Sequence, residues 1–407
     1  MLFLAQEPRH PPLPLPLRES LMGERAEVTR IISLNIREAH LKRRFRLVLS
    51  PITTVCAARH QQQCLPDRLV TAATPNHSLL RPEGAYLIIA TVSGCLRGDT
   101  VKLMSFQLPD DQNCRFGVLL SNRQVLDLSQ CELPRRLPAS LMDCIRGGED
   151  ALARVSDALA AAEHRRAEGN HRHLHDLAGI ALLAPIRPGK IMAIGKNYAA
   201  HAAEIGETGY TRPGGFIKHV DAVIAHGQTV RKPNWTDKLD YENELAVVIA
   251  DTCSEVSPED AYNHVFGYTI MVDMSARDVQ YAERKEGNIM IGKNFPTAAP
   301  LGPWVVTKDE IPDPHALRLV TRVNGETRQD ASTGMQIFKI PQQIAWYSHA
   351  GLYAGDIIST GSPSGTGAGY QGSGSWYLMP GDLLECEIEN IGVLRNPIGA
   401  APPSGRR

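Results

Sequence analysis

The chain has 407 residues, of which 43% are hydrophobic, and carries a formal net charge of -1 at pH 7. A chain of this size can bury one large core or two modest ones. The near-neutral charge excludes the global basic field that gathers nucleic acid or anionic membrane, and no apolar run approaches the roughly 18 to 20 residues of a membrane-spanning helix. The composition therefore indicates a globular protein without a nucleic-acid or membrane partner.

The eight cysteines form no C-x-x-C pair and no Cys/His cluster at zinc-ligand spacing. We interpret them as reduced thiols, which favours a cytoplasmic location. The cysteine spacing thus predicts neither a disulfide framework nor a zinc site.

Residues 1–100 differ in composition from the rest of the chain. They contain twelve Arg against a single Lys, and they show neither sustained helical nor strand periodicity. Eight acidic residues argue against a transit peptide, and the short apolar start MLFLA gives way to Glu, Pro and Arg, unlike a secretory signal. We interpret this segment as a poorly structured extension or an artefact of an upstream start site.

The remaining sequence predicts two domains. Over residues 101–182, β-like runs separated by DDQN and SNR predict strands and hairpins, and the apolar spacing of residues 139–166 predicts two helical pieces that meet at Gly147 and Gly148. Over residues 183–400, strand-like runs such as ELAVVIAD and LRLVTRVNG outnumber short helical ones. We therefore expect a small N-terminal β/α domain followed by a larger, β-rich α+β domain.

The sharpest motif is Asp240-Tyr-Glu242-Asn-Glu244, which precedes the apolar run LAVVI. On a strand, residues two apart point to the same face, so the three carboxylates would lie side by side. Carboxylates that are crowded and desolvated need protons or a cation between them. A divalent metal site is one interpretation, and an exposed edge strand with its acidic residues in water is the other.

The stretch GYTIMVDMSARDVQ places Asp273 at the end of a predicted strand, with a helix starting just behind it. Arg277 and Gln280 are three apart and share a face of this helix, where they would present a guanidinium and an amide to a carboxylate. The alternative pairs Arg277 with a nearby acid and leaves Gln280 exposed.

Oxygen ligands from Glu242, Glu244 and Asp273 would select Mg²⁺ or Mn²⁺, with Ca²⁺ as a third candidate. Three protein ligands would leave room for a substrate that chelates through two oxygens, such as a 2-oxo acid.

The stretch KIMAIGKNYAAHAAEIG turns from a short predicted strand into a helix that carries His201 and Glu204 on one face. A carboxylate in this position orients the imidazole and raises its basicity toward a proton of water or substrate. An ordinary surface His-Glu pair is the alternative.

The octapeptide GNIMIGKN, which ends at Asn294, matches the phosphate-binding pattern G-x-x-x-x-G-K-[ST] at every fixed position but the last. A phosphate loop follows a strand and opens a helix, whereas this one follows the helix-like ARDVQYAERKE and precedes Pro296 and Pro300. The motif GAGYQG likewise lacks the helix of a dinucleotide site. The sequence therefore predicts no nucleotide site and leaves Lys293 for another role.

With these stretches assembled, the chain resembles the fumarylacetoacetate hydrolase family, in the short branch of acylpyruvases and 2-hydroxyhepta-2,4-diene-1,7-dioate isomerases. The motifs that carry the resemblance, in family order, are IGKNYAAHAAEIG, DYENELAVVI, GYTIMVDMSARDVQ, GKNFPTAAPLGPWVV, VNGETRQ, GDIISTGSPSGTGAG and YLMPGDLLECEIENIGVLRNP. They cover about residues 183–397. The resemblance implies a mixed β-sandwich roll as the catalytic domain, a small N-terminal domain, and assembly as a homodimer.

The resemblance also implies roles for single residues. It implies Mg²⁺ or Mn²⁺ on Glu242, Glu244 and Asp273, a proton-moving dyad of His201 and Glu204, a catalytic cation in Lys293, and substrate contacts from Arg277, Gln280 and Thr360. Two stretches depart from the commonest family pattern. Asn294 and Pro296 stand where many family chains have Ser and Asp, and Lys218-His219 stands where many have Lys-Pro. We expect both departures to affect substrate preference rather than metal binding.

The leading functional hypothesis is metal-dependent C–C bond hydrolysis, or isomerisation, of a 2-oxo or 2-hydroxydienoic carboxylate such as an acylpyruvate, in the catabolism of aromatic compounds. One alternative is an oxaloacetate-type decarboxylase or lyase on the same metal site. Another is a non-catalytic protein that binds a small ligand on the same fold. The sequence does not separate hydrolysis, isomerisation and decarboxylation, because all three form the same kind of enolate.

Overall fold

The computed structural model describes residues 101–402, apart from residue 122 and residues 132–134 and 205–210. The predicted extension over residues 1–100 lies outside the described residues. Within the described part of the chain, no helix combines the length and the apolarity that crossing a bilayer requires.

Strands far outnumber helices among the described residues, which confirms the predicted β-rich class. The strands are β1 Lys102–Leu108, β2 Asp111–Leu119, β3 Gln124–Asp127, β4 Leu174–Asp176, β5 Ala181–Leu182, β6 Ile191–Ile194, β7 Gly215–Lys218, β8 Val223–Ile224, β9 Val230–Lys232, β10 Leu239–Asp240, β11 Asn243–Ile249, β12 Val265–Val272, β13 Ser275–Ala276, β14 Ala299–Thr307, β15 Arg318–Val323, β16 Glu326–Ser332, β17 Ile357–Ser359, β18 Leu383–Ile388 and β19 Gly392–Ala400. The helices are α1 Leu141–Ala167, α2 Ala199–Glu204, α3 Arg277–Lys285 and α4 Ile340–Ser348.

Helix α1 consists of two pieces, as the sequence predicts. Gly148 has φ 57° and ψ −142°, a conformation that interrupts the helix and that glycine adopts without a side-chain clash. The first piece starts at Ser140, whose hydroxyl oxygen accepts a hydrogen bond from the Asp143 backbone N–H at 3.1 Å.

Twelve strands pair into one mixed sheet in the order β4-β3-β2-β1-β14-β12-β11-β17-β6-β7, with β5 beside β1 and β8 beside β14. Strand β1 of the predicted N-terminal domain pairs directly with β14 of the larger one. Because one sheet contains strands of both predicted domains, the boundary near residue 182 stays a prediction. The central strands β11 and β12 are buried along their whole length, which explains why their sequences are almost continuously apolar.

A second sheet of five strands, β16-β15-β18-β19-β9, packs against the start of β11. Asn243 donates from Nδ2 to the carbonyl oxygens of Val320 at 3.1 Å and Glu387 at 3.3 Å. One hydrophobic core includes residues of both sheets. The acidic motif before β11 is therefore held between the two sheets.

The pairing of β11 with β12 determines where the acidic residues meet. The two strands are antiparallel, with Asn243 opposite Val272. Beyond this pair, the Asp273 backbone N–H donates to the Glu242 carbonyl oxygen at 2.9 Å. Residues that start β11 and residues that follow β12 thus lie together at one end of the strand pair.

Candidate active site

Three carboxylates lie together at this end of the strand pair. Carboxylate oxygens of Glu242, Glu244 and Asp273 lie within 4.8 Å of one another. The three residues are only 6%, 1% and 1% exposed, so the alternative of an acidic edge strand in water does not describe them. The structure brings the predicted ligand trio together, and its metal binding stays a prediction.

Three cationic side chains surround two of these carboxylates. Lys293 Nζ donates to Glu242 Oε2 and to Asp273 Oδ2, each at 2.6 Å. Lys218 Nζ donates to Asp273 Oδ1 at 2.6 Å, and Arg277 Nη2 donates to Glu242 Oε1 at 2.7 Å. Burial alone would raise the pKa of Glu242, but Arg277 and Lys293 outweigh burial and hold that pKa well below its usual range.

Among the described contacts, Glu244 has no cationic partner, and its pKa shifts in the opposite direction. Its Oε2 accepts hydrogen bonds from the Ser359 hydroxyl and from the Gly361 backbone N–H at 3.0 Å. Burial, followed by the charges of Asp273 and Glu242, raises the pKa of Glu244 to about 8. The group therefore carries a proton at neutral pH unless another cation compensates its charge.

The donor set fits a hard divalent cation. All three candidate ligands offer carboxylate oxygens, which Mg²⁺, Mn²⁺ and Ca²⁺ prefer. Each ionised carboxylate has about four acceptor positions, so the contacts to Lys218, Lys293 and Arg277 do not exhaust Glu242 and Asp273. A cation would also compensate Glu244, the carboxylate that otherwise needs a proton.

Asp240 has a different role from the one that its spacing suggests. It does not join the trio but accepts hydrogen bonds from Arg277 Nε at 2.7 Å and from the backbone N–H groups of Gly367 at 2.7 Å and Ala368 at 3.0 Å. Asp240 thereby fixes both the guanidinium and the glycine-rich loop. Arg277 also donates from Nη1 to Gln280 Oε1 at 3.1 Å.

Arg277 and Gln280 thus combine features of both sequence interpretations. Arg277 pairs with nearby acids, as the alternative proposed, while Gln280 is buried rather than exposed. Both residues nevertheless line the cavity described below, where the substrate role was predicted. That role stays a prediction.

His201 and Glu204 lie on α2, and His201 contacts Glu242 of the carboxylate trio. His201 Nδ1 is 3.3 Å from Glu204 Oε2, and His201 Nε2 is 3.4 Å from Glu242 Oε1. His201 is 3% exposed, so the pair is not an ordinary surface pair. Burial alone would lower the pKa of His201, but its contacts with Glu204 and Glu242 outweigh burial and raise it.

A cavity of about 190 Å³ opens beside these groups. The predicted site residues that line it are His201, Glu242, Glu244, Arg277, Gln280 and Lys293. Asp273 is not among the lining residues, but it accepts a hydrogen bond from Lys293, which is. The cavity walls also include Lys196, Phe216, Tyr281, Arg284 and Ser362.

Thr360, a predicted substrate contact, lies behind the cavity wall. It is fully buried, its hydroxyl donates to the Leu245 carbonyl oxygen at 2.8 Å, and it accepts from Gln336 Nε2 at 2.9 Å. Among the described contacts, its side chain supports the strand ends rather than the cavity. Its contact with a substrate stays a prediction.

Sequence reasoning missed the roles of Lys218 and Ser359. Lys218 drew attention only as a departure from a family pattern, yet it is fully buried against Asp273. A lone lysine at the end of the apolar stretch GFIK was the signal that could have indicated a buried ion pair. The chain spacing between Ser359 and Glu244 contains no comparable signal.

Cysteine spacing also missed one group. Ligand atoms of Asp251, Cys253 and His264 lie within 4.8 Å of one another at the far end of β11 and β12. His264 Nδ1 is 2.6 Å from Asp251 Oδ1. The sequence pattern therefore overlooked a Cys/His/Asp group that strand pairing assembles.

Comparison with known proteins gives results in agreement with this geometry. Residues 190–399 match the family described as fumarylacetoacetate (FAA) hydrolase, C-terminal. The chain is 39% identical over 293 residues to oxaloacetate tautomerase YisK of Bacillus subtilis (strain 168), covering 70% of this chain and 95% of that protein.

Two solved structures share the fold over most of the described residues. The 5-carboxymethyl-2-hydroxymuconate delta-isomerase from Mycobacterium smegmatis is 31% identical with a TM-score of 0.56, covering 74% of this chain and 99% of that one. The maleylpyruvate hydrolase from Sphingobium sp. SYK-6, in complex with manganese(II) ion and pyruvate, is 28% identical with a TM-score of 0.57, covering 74% of this chain and 100% of that one. The similar proteins thus include a tautomerase, an isomerase and a hydrolase. The resemblance predicted from the motifs is confirmed, and the chain belongs to the fumarylacetoacetate hydrolase family.

Proposed function

We propose that this protein is a divalent-metal-dependent enzyme that interconverts the keto and enol forms of a small 2-oxo carboxylate, with oxaloacetate as the leading substrate. The observation that carries the proposal is a single cavity lined by Glu242 and Glu244 of the carboxylate trio and by His201 of the dyad. The 39% identity to an oxaloacetate tautomerase supports the choice of reaction.

Glu242, Glu244 and Asp273 would hold the cation, and their oxygen donors favour Mg²⁺ or Mn²⁺. When bound there, the cation would supply a Lewis acid for the negative charge that develops on the 2-oxo oxygen. Manganese in the related maleylpyruvate hydrolase supports this assignment.

The protein's own cations would bind the substrate carboxylate beside the trio. A guanidinium has five N–H donors, and Arg277 uses three in its contacts with Asp240, Gln280 and Glu242. Donor capacity therefore remains on a side chain that lines the cavity. The buried Lys293 ammonium lies at the same end, where it would stabilise developing enolate charge in a site of low dielectric constant.

The His201–Glu204 dyad would move the proton. Nδ1 of His201 faces Glu204, so the carboxylate fixes the orientation of the ring, and Nε2 faces Glu242 beside the cavity. Nε2 is therefore the atom that would exchange a proton with C3 of the substrate. Glu204 is itself fixed, since its Oε1 accepts a hydrogen bond from the Gly365 backbone N–H at 3.2 Å.

The size of the cavity favours a small substrate. Its volume of about 190 Å³ lies below the roughly 300 to 1,000 Å³ of sites for drug-sized ligands. A four-carbon 2-oxo acid suits such a space better than a long dienoic acid does.

Deuterium exchange tests the proposal at the step that keto–enol conversion requires. We expect the protein with Mg²⁺ or Mn²⁺ to accelerate exchange of the C3 hydrogens of oxaloacetate in D₂O, followed by NMR, above the rate with metal alone. Glu242→Gln should abolish this acceleration, while Glu259→Gln, on an exposed residue outside the site, should leave it unchanged. If the folded protein with metal exchanged these hydrogens no faster than metal alone, the proposal would be overturned.

Hydrolysis of a C–C bond in an acylpyruvate is the second candidate. It is favoured by the complex of the related maleylpyruvate hydrolase with manganese and pyruvate. In this reaction His201 would take its proton from water instead of from carbon. Incubation of an acylpyruvate in H₂¹⁸O separates the two, because only hydrolysis releases pyruvate together with an ¹⁸O-labelled acid.

A further inference from the structure

A second group of metal-binding side chains lies at the end of β11 and β12 that is remote from the carboxylate trio. Asp251 and Cys253 follow β11 and are two residues apart, and His264 directly precedes β12. The trio has the same construction in reverse, with two residues at the start of β11 and one directly after β12. One strand pair therefore brings together three candidate ligands at each of its ends.

The two groups are separate sites. From Glu244 to Asp251 the chain advances seven residues, and an extended strand rises about 3.4 Å per residue, so the groups lie roughly 20 Å apart. The residues that line the cavity do not include Asp251, Cys253 or His264. The proposed function therefore gives these three side chains no role.

An irregular strand pairing directs the side chains of this second group toward one another. The pairing of β11 with β12 is regular from Asn243 to Val248, and its register shifts between Val248 and Ile249. A β-bulge bends the strand and re-aims the side chains next to it. Beyond the shift, the Ala250 backbone N–H donates to the His264 carbonyl oxygen at 2.8 Å, which fixes His264 beside the end of β11.

Cys253 is held in place by another segment. Its backbone N–H donates to the Leu352 carbonyl oxygen at 2.9 Å, and its carbonyl oxygen accepts from the Leu352 N–H at 2.9 Å. The side chain is a free thiol that is only 9% exposed. Its sulfur lies within 4.8 Å of ligand atoms of Asp251 and His264. A surface His–Asp pair does not require a buried thiol beside it, whereas coordination of a metal ion uses all three groups.

The three ligand types favour zinc. Zinc prefers thiolate and imidazole ligands, whereas Mg²⁺ prefers oxygen ligands alone. A thiolate and a carboxylate together compensate the two positive charges of the ion. Ligand bonds of about 2.0 to 2.3 Å in a tetrahedral site separate the ligand atoms by about 3.3 to 3.8 Å, so small side-chain rotations would complete the geometry. Asp251 is exposed, which gives the ion a path from solvent and leaves the fourth position to water.

We propose that Asp251, Cys253 and His264 form a zinc site that joins the bulged end of β11 to the start of β12. His264 Nδ1 is 2.6 Å from Asp251 Oδ1, and zinc would replace the proton between them while the imidazole carries its proton on Nε2. The thiol would release its proton to solvent. The ion would stabilise this end of the strand pair and take no part in the chemistry of the cavity.

Cobalt(II) is the probe for this site, because it substitutes for zinc and absorbs strongly in the near ultraviolet when a thiolate binds it. The full chain, freed of metal with a chelator, would be titrated with Co²⁺ in the presence of excess Mg²⁺. We expect one thiolate-bound cobalt ion per chain, which Zn²⁺ displaces. Cobalt on the carboxylate trio would not produce this absorption band, because the trio offers only oxygen ligands.

Variants assign the band to single residues. Cys253→Ser should abolish it, and Asp251→Asn, at an exposed position, should raise the Kd of Co²⁺ at least about tenfold. Cys114→Ser is the matched control, because Cys114 is an exposed free cysteine on β2. It should leave both the band and the Kd unchanged.

Thermal unfolding gives a second readout that does not depend on catalytic activity. Zinc should raise the Tm of the wild-type protein, because it binds the folded state, and it should not raise the Tm of Cys253→Ser. A folded wild-type protein without the cobalt band would overturn the site. A band that survives Cys253→Ser, or an equal rise of Tm in both proteins, would assign the metal to other residues and overturn it as well.

Discussion

The tetrapeptide Ile-Gly-Lys-Asn occurs twice, at residues 194–197 and 291–294, and both copies border the same cavity. Lys293 is buried between Glu242 and Asp273; burial would lower its pKa, but these two carboxylates outweigh burial and raise it. Lys196 is half-buried near Arg284, and burial together with that charge lowers its pKa to about 8. Identical local sequence therefore produces opposite electrostatic environments, because the tertiary neighbours differ.

The glycine and the asparagine of the tetrapeptide sharpen this comparison. A Cβ on Gly292 would lie 2.6 Å from the Gln280 backbone nitrogen, whereas a Cβ on Gly195 would meet no atom within 4 Å. Both asparagines tie their loops to other segments, Asn197 to Phe338 and Asn294 to His219. The Lys293 loop requires its glycine for close packing, and the Lys196 loop does not.

The largest contrast is expected between the two lysines. Lys293→Met should lower kcat about 100- to 1,000-fold, because an electrostatic contact to the enolate is lost. It should also lower the free energy of unfolding by about 3 to 5 kcal/mol, because Glu242 and Asp273 lose a buried partner. Lys196→Asn, at a residue that lines the cavity, should leave kcat within about threefold. Steady-state kinetics and urea unfolding measure these effects, and a Lys293→Met enzyme with wild-type kcat would contradict the comparison.

A smaller contrast is expected between the glycines. Gly292→Ala should lower the free energy of unfolding by roughly 3 kcal/mol, since the added methyl group would collide with the backbone of α3. Gly195→Ala should remain within about 0.5 kcal/mol of wild type. Urea denaturation of both variants gives the difference, and equal losses would show that Gly292 packs less closely than the structure indicates.

The asparagines should differ by less. Asn197→Ala removes the partner of the Phe338 backbone N–H and of the Thr360 carbonyl oxygen, which should cost about 2 kcal/mol of unfolding free energy. Asn294→Ala, at a partly exposed position, should cost less than about 1 kcal/mol because water can replace the lost contacts. Thermal unfolding measures both, and the opposite order would refute the prediction.

The smallest expected effect is a pH dependence. Lys196 lines the cavity, is charged below a pKa of about 8 and is neutral above it, so the part of the attraction for an anionic substrate that it contributes is present at low pH and lost as pH rises through about 8. We expect kcat/KM for oxaloacetate to fall roughly three- to tenfold over this interval, with the other cations that line the cavity retaining the rest of the attraction. In Lys196→Asn this decrease should disappear. A profile that is the same in both proteins would assign the titration to another group.

Short-range patterns in the sequence predict much of the site. Glu242 and Glu244 are two apart and His201 and Glu204 are three apart, so local geometry alone relates the members of each pair. The link between Glu242 and Asp273 requires more, because the pairing of β11 with β12 brings them together. The apolar runs on either side make that pairing predictable in kind, although not in register.

The contacts that sequence could not supply join distant segments. Lys218 meets Asp273, and Ser359 meets Glu244, across 55 and 115 residues. Asp240 looked like a third member of the acidic row but faces Arg277, because β10 ends before β11 begins and the chain turns at Tyr241. The spacing of residues along the chain contains no information on such turns.

The pairing of β11 with β12 also couples folding to chemistry. Side chains alternate along a strand, so a slip of one residue would turn Glu244 toward the opposite face of the sheet and bring Asn243 or Leu245 into its place. The irregularity in this pair lies between Val248 and Ile249, at the end remote from the acidic residues. An almost-native chain with a shifted pair would therefore be inert rather than partly active, so catalytic activity reports directly on correct strand alignment.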